Sequence, residues 1–276
     1  AYQYALTTME RTLGPGTADN PFWQQCGVLQ LAYDDKEAQR QQKFMHSHPL
    51  PEDLVHHLTQ EQASTCAGSP QRSGGLFFPK AGWVSPADLC RTLLQHPGIR
   101  VEQQRVTQLQ RTTAHWELHT GDGILTADQV VLATAFDTQT LLPSSYLPLK
   151  RIRGQLSYLS TEATPPLNTV LCGRSYLPPP RQGRQCLGAT YNLRDNYTAL
   201  REEDHQTNLN HLADFGPDWQ AVQEQHGPKA VNGGRVGFRC TSPDYLPLTG
   251  PVPDTEAFLQ RFSPLIRNAR QVPATS

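Results

Sequence analysis

The clearest chemistry in this 276-residue sequence is an arginine at a strand end, in the run Arg235-Val-Gly-Phe-Arg-Cys-Thr-Ser-Pro-Asp-Tyr-Leu-Pro-Leu-Thr-Gly250. Val236 and Phe238 are β-compatible, and Gly237 between them allows close backbone approach. Thr241-Ser-Pro-Asp is a turn in which Pro243 fixes φ and removes a donor. Arg239 is therefore expected as a guanidinium on a stiff strand end. A planar fork placed there can hold a carboxylate through two parallel hydrogen bonds. Arginines are mostly exposed, and a surface ion pair is the competing assignment.

Other reactive side chains are less suggestive. His46, His48, His56 and His57 lie in polar sequence without a carboxylate in a convincing register, which favours solvated histidines over a metal centre. The six cysteines, Cys26, Cys66, Cys90, Cys172, Cys186 and Cys240, form no C-x-x-C pair and are read as buried reduced thiols. Net charge is −1, so no global basic field points to nucleic acid, but residues 150–201 hold eight basic side chains against Glu162 and Asp195. That local excess can meet phosphates or form a solvated face. No apolar run reaches the roughly 18 residues that span a bilayer, so a soluble, cytoplasmic protein is expected.

Several elements must position these groups. A helix runs from the first residues to the breaker Gly14-Pro-Gly, with no cap in front, as in a piece of a longer chain. Residues 26–33 read as a strand, Asp34-Asp-Lys-Glu as a helix start, and 50–64 as a short helix. In Gly74-Gly-Leu-Phe-Phe-Pro-Lys-Ala-Gly-Trp-Val-Ser-Pro-Ala-Asp-Leu-Cys90, Ser85-Pro86 starts a helix, and Phe77, Phe78 and Trp83 either fill core or meet a flat ring. Residues 99–127 alternate as strands, and Gln129-Val-Val-Leu-Ala-Thr-Ala135 has the length and composition of a buried parallel strand. Short strands follow from 151 to 190. A helix covers 202–212, with Asp204 and Asn208 on its wet side, and periodicity fades after residue 258.

The ordered motifs Gly-Gly-Leu-Phe-Phe-Pro-x-Ala-Gly-Trp-Val-x-Pro-Ala-Asp-Leu, Arg-Gly-Gln-x-Ser, Tyr-Leu-x-Pro, Gly-Ala-Thr-Tyr and Arg-x-Gly-x-Arg-Cys-x-x-x-Asp-x-Leu-Pro-x-x-Gly resemble the glycine oxidase and D-amino acid oxidase superfamily. Within it they are most similar to the flavin-dependent half of bifunctional tRNA 5-methylaminomethyl-2-thiouridine biosynthesis proteins. The resemblance runs from about Trp23 to about Phe258. It implies an α+β fold: an antiparallel-sheet substrate domain beside part of an α/β FAD-binding domain. Residues 1–140 are expected in the partial FAD-binding domain, 141–258 in the substrate domain and 259–276 in an irregular tail. The Gly-x-Gly-x-x-Gly dinucleotide turn of that family has no counterpart in this sequence, so the chain is expected to be the central piece of such a protein.

The same resemblance implies FAD as cofactor and tRNA as substrate, with a methyltransferase domain in the same polypeptide. The implied reaction removes the carboxymethyl group from a carboxymethylaminomethyl wobble uridine. By motif position, Arg239 and Tyr176 would bind the substrate carboxylate. FAD contacts would fall at Val106, at Ala133, Thr134 and Ala135, and at Gly154 and Gln155; plain core packing competes at Val106 and Ala133. No acid–base residue is assigned and no metal is expected. Two other functions stay open: a small amine oxidase of the glycine or sarcosine kind, and a non-catalytic fragment that cannot hold FAD.

Overall fold

The computed structural model describes residues 2–142, 147–252 and 255–263. Its helices are α1 (Tyr2–Leu13), α2 (Asp35–Ser47), α3 (Gln60–Ala67), α4 (Pro86–Leu93), α5 (Thr138–Leu141), α6 (Glu202–Asn210), α7 (Pro217–His226) and α8 (Thr255–Phe262). The strands are β1 (Trp23–Gln24), β2 (Val28–Leu31), β3 (His56–Leu58), β4 (Gly75–Phe78), β5 (Trp83–Val84), β6 (Val106–Arg111), β7 (Trp116–Thr120), β8 (Gly123–Ala127), β9 (Lys150–Ser160), β10 (Val170–Cys172), β11 (Tyr176–Leu177), β12 (Arg184–Gly188), β13 (Asn192–Leu193) and β14 (Val231–Thr241). The fold is α+β. Two compact units divide it, one of residues 1–102 and 153–238, the other of residues 103–152 and 239–276. The expected boundary between 140 and 141 thus falls inside the second unit.

The first unit is built on one sheet ordered β13-β9-β12-β11-β10-β2-β4-β3, with β14 also paired to β9. The strands expected from 150 to 250 share it, and β2, β3 and β4 extend it beyond that range. From β9 through β12, β11, β10, β2 and β4 to β3 the ladders are antiparallel apart from β10 with β2. Period-two alternation sets its faces. On β9, Arg153, Gln155, Ser157 and Leu159 are buried, whereas Leu156, Tyr158 and Ser160 on the other side are half-buried. The covered face sets Leu29, Leu31, Leu159, Leu171, Leu177 and Leu187 against Leu209, Leu212, Phe215, Trp219 and Val222 of the 202–226 helical segment. Burial of these apolar side chains contributes about 1.5–3 kcal/mol each, so this face anchors the unit.

Local capping explains where the helices begin. Asp34 accepts from the Glu37 amide to start α2. Thr59 and Gln62 form a capping box at α3, which ends at Gly68 with φ 77°. A helix over 50–64 is therefore not what forms: β3 occupies 56–58 and the capping box delays the helix to Gln60. Asp204 and Asn208, expected on the wet side of α6, are buried instead, because β9 offers them polar partners.

In the second unit β6, β7 and β8 form an antiparallel meander, as expected, with a register shift between Val106 and Gln108. The predicted strand at 129–135 does not form. Residues 129–134 have no ladder and Val131 is 89% exposed. A parallel strand draws its hydrogen bonds from neighbours, and residues 129–134 pair with neither the meander nor any other strand among the described residues. Residues 99–102 likewise carry no strand. α8 runs into the stretch expected to be irregular; residues 264–276 of that tail lie outside the described residues. No helix of the described residues is long and apolar enough to cross a membrane.

Candidate substrate-binding face

The side of the first unit's sheet away from the helices presents the candidate chemistry. Register places Leu156, Gly188, Tyr176 and Cys172 in one cross-strand row, since Gly188 pairs with Leu156 and Tyr176, and Tyr176 with Cys172. Tyr176 rises from the middle of this row and is 38% exposed. A side chain on the bare spot at Gly188 would meet the Leu156 methyl at 2.5 Å, so glycine keeps the floor beside Tyr176 flat.

β14 continues this face. A Cβ at Gly233 would point to the Tyr158 ring at 3.6 Å, whereas one at Gly234 would strike the Leu156 carbonyl and the His205 ring on the helix side. Alternation then puts Gly233, Arg235 and Gly237 on the Tyr158 side of the sheet, the side of Tyr176. The next position in phase along β14 is Arg239, which is exposed and two residues from the strand end. Gly237 was expected to bring the backbone close to a neighbour. A Cβ there would instead meet open space, with no atom of the described residues within 4 Å.

Gln155 does something other than reach for a ligand. It is fully buried on the helix side, donates through Nε2 to the Arg201 carbonyl at 2.8 Å and accepts from the Arg201 amide through Oε1 at 2.9 Å. Its backbone amide donates to Thr190 Oγ1, and its carbonyl accepts from Asn208 Nδ2 and the Thr190 amide. Next to it, the fully buried Arg153 donates to the Tyr197 and Ala199 carbonyls at 2.7 and 2.8 Å and pairs with Asp204. Burial opposes ionisation of Asp204, but hydrogen bonds from Asn192 and Arg153 outweigh it and hold the carboxyl below its usual range. Residues 153, 155 and 204 thus fasten the 195–201 loop beneath the floor that carries Gly154 and Tyr176. The sequence signal for this was the strand alternation Arg-x-Gln-x-Ser, which places three polar side chains on one covered face.

Tyr176 also has a built support. Ser175 before it is within 2.6 Å of His211 Nδ1, and Arg174 pairs with Asp214 while lying over the Tyr33 ring. Burial, reinforced by Arg174, lowers the pKa of His211, with Asp214 acting weakly the other way.

In the second unit, Val106 opens β6 opposite Thr120 and is half-buried. Ala133, Thr134 and Ala135 are exposed and irregular. Thr134 Oγ1 lies 2.9 Å from Thr138 Oγ1, and Ala135 has φ 50° at the start of the short 3-10 turn Ala135–Asp137. The expected sites therefore fall in two sets: Gly154, Gln155 and Tyr176 on one sheet, Gln155 on its opposite face, and Val106 with Ala133, Thr134 and Ala135 in the other unit. Among the described residues no group of three or more His, Cys, Asp or Glu side chains could hold a metal.

Half of the eight basic residues between 150 and 201 are committed to ion pairs. Arg153 pairs with Asp204, Arg174 with Asp214, Arg181 with Asp88 and Arg201 with Asp195. Three of these four carboxylates lie outside the segment, which is why its charge count overstates its field.

Residues 1–265 match the model of the FAD dependent oxidoreductase family, and the chain belongs to that family. Among curated relatives, it is 46% identical over 253 residues to the tRNA 5-methylaminomethyl-2-thiouridine biosynthesis bifunctional protein MnmC of Stutzerimonas stutzeri, and 44% identical over 257 residues to the protein of that name from Pseudomonas putida strain F1. The matches cover 90% and 91% of this chain but 38% and 39% of those proteins, so the chain spans well under half their length. Among solved structures, glycine oxidase from Geobacillus kaustophilus superposes with a TM-score of 0.74 at 21% identity, covering 92% of this chain and 69% of that one. Glycine oxidase from Bacillus cereus gives 0.72 at 18%, covering 90% and 68%. These two share the fold.

Proposed function

We propose that the protein carrying this chain is an FAD-dependent oxidoreductase acting on the wobble uridine of tRNA. It removes the carboxymethyl group from a carboxymethylaminomethyl-(2-thio)uridine and leaves the aminomethyl nucleoside. The observation that carries this is the 46% identity over 253 residues to the bifunctional tRNA-modification protein. A methyltransferase domain in the same polypeptide belongs to the same proposal.

The open sheet face fits a flat cofactor ring on one count: Gly237 leaves bare, exposed backbone on the side where Tyr176 stands. Bound FAD supplies the two-electron oxidation of the C–N bond in the glycine unit; water then splits the C=N bond to give the amine and glyoxylate. The chain's own residues bind and orient. Arg239 holds the substrate carboxylate through its guanidinium fork, and Tyr176 donates its hydroxyl to the same group. Gly154 supplies backbone next to the ring. Gln155 serves it from below, as the clamp that holds the floor in place. Val106 and Ala133, Thr134 and Ala135 would hold the adenine dinucleotide portion, and residues 141–258 would supply the substrate contacts.

The test is product analysis. The whole protein, with FAD, is given tRNA bearing the carboxymethylaminomethyl group, and N-methylglycine in parallel. Formation of glyoxylate and the aminomethyl nucleoside, with tRNA the better substrate by kcat/KM, is expected. Oxidation of N-methylglycine alone would replace this function with that of a small amine oxidase.

A further inference from the structure

Arg239 apart, two arginines on the open face take no part in the ion pairs among the described residues. Arg184, on β12, is exposed and lies over the half-buried Tyr158 ring at 5.9 Å from its centroid. Arg235, on β14, is exposed and lies two residues beyond Gly233, the position that faces the Tyr158 ring, on the same side of the sheet. None of the ion pairs among the described residues involves either one. The other arginines of this unit between 153 and 201, Arg194 apart, are neutralised by Asp88, Asp195, Asp204 and Asp214.

The placement of the two is constrained by the sheet. Arg184 pairs with Ser160, and Tyr158 with Cys186, so Arg184 leans diagonally across β9 onto the tyrosine. On the far side of β9, Gly233 offers no side chain over the same ring, which leaves Tyr158 reachable from β14. β12 and β14 flank β9, so two strand spacings, at least about 10 Å, separate the two arginine backbones. Guanidiniums on stems of this length cover the span between them. A single small carboxylate does not need two cations so far apart; a polyanion with regularly spaced charges does.

We infer that Arg184 and Arg235, flanking Tyr158, form a phosphate-binding strip for the RNA backbone next to the substrate site. This deepens the tRNA reading above and rests on it. Arg184, held over the Tyr158 ring, is the fixed contact, and Arg235 takes a second phosphate from β14. Neither residue acts on the glycine unit. Their part is to choose an RNA-borne substrate over a free amino acid.

The test is equilibrium binding of the whole, FAD-loaded protein to tRNA carrying the modified wobble uridine, as a function of salt. Each phosphate contact in a single-stranded loop contributes about 0.7 to the slope of log K against log salt. The double substitution Arg184→Gln/Arg235→Gln keeps part of each stem and should flatten the slope by about 1.4. It should also weaken binding at physiological salt about tenfold or more, with flavin absorbance and melting temperature retained. Arg184→Lys/Arg235→Lys, which keeps the charges, should recover most of the slope. Arg181→Gln, whose guanidinium is committed to Asp88, should leave the slope unchanged. If wild type binds tRNA and the double variant binds with the same slope and affinity, the strip is wrong while the RNA function stands. If wild type shows no salt-dependent tRNA binding, the RNA function itself fails.

Discussion

Replacing Asp204 by asparagine removes one charge from a site where the other charge cannot reach water. Arg153 is fully buried, and its remaining acceptors are the Tyr197 and Ala199 carbonyls and the Gln155 side chain. All three are neutral, so Asp204→Asn leaves an uncompensated guanidinium. Breaking a buried pair from one side costs about 3–5 kcal/mol, because the desolvated partner stays behind. In a protein of this size each kcal/mol moves the midpoint by about 2–4 °C, so a fall of about 6–20 °C is expected. The assay is thermal melting by circular dichroism, with urea unfolding at constant m-value as a check. The double variant Arg153→Met/Asp204→Leu should sit nearer wild type than the single, since apolar replacement removes both charges together. The sign of the pH dependence follows from the same pair. The folded carboxyl is held below its usual range, so its stabilisation is present above about pH 4 and is lost as pH falls through the folded value. Asp204→Asn should flatten that acid limb. A single variant melting within about 2 °C of wild type, or a double variant no better than the single, would refute the buried clamp.

Two further outcomes follow from the supports around Tyr176. Tyr176→Phe removes one hydrogen bond and keeps the ring, so kcat/KM for the modified tRNA should fall about 3- to 20-fold with FAD content unchanged; equal rates would take the hydroxyl out of the site. His211, facing Ser175, Arg174 and Asp214, has a lowered pKa, so its neutral form is stabilising above its ordinary value of about 6.5, and that contribution is lost as pH drops through the folded value. Melting temperature should therefore decline as pH falls below about 6.5, and less so in His211→Gln; an identical profile in the variant would remove the histidine from this role.

Much of the architecture was legible because the patterns were local. The capping residues Asp34 and Ser85 stand at N-caps, the meander of β6 to β8 formed, and the alternation in Arg-Ile-Arg-Gly-Gln-Leu-Ser-Tyr gave a strand. Failures came where tertiary partners decide. The apolar run at 129–135 has strand composition, yet residues 129–134 make no ladder. Asp204 and Asn208 are polar enough for a wet helix face, but a buried Arg153 and the Gln155 carbonyl draw them inward. Arg181 was legible as a charge and not as the partner of Asp88, 93 residues away. The downward orientation of Gln155 did not follow from its motif, because a strand motif leaves open which face the helices cover.

The measurement that bears most directly on the proposed function is kcat/KM of Arg239→Ala on tRNA bearing the carboxymethylaminomethyl wobble uridine, with flavin content determined on the same preparations. Loss of a charge-assisted pair to the substrate carboxylate costs about 2–5 kcal/mol, so a fall of at least tenfold is expected, with Arg239→Lys intermediate and FAD retained in both. Wild-type rates in Arg239→Ala with a full complement of FAD would contradict the carboxylate assignment.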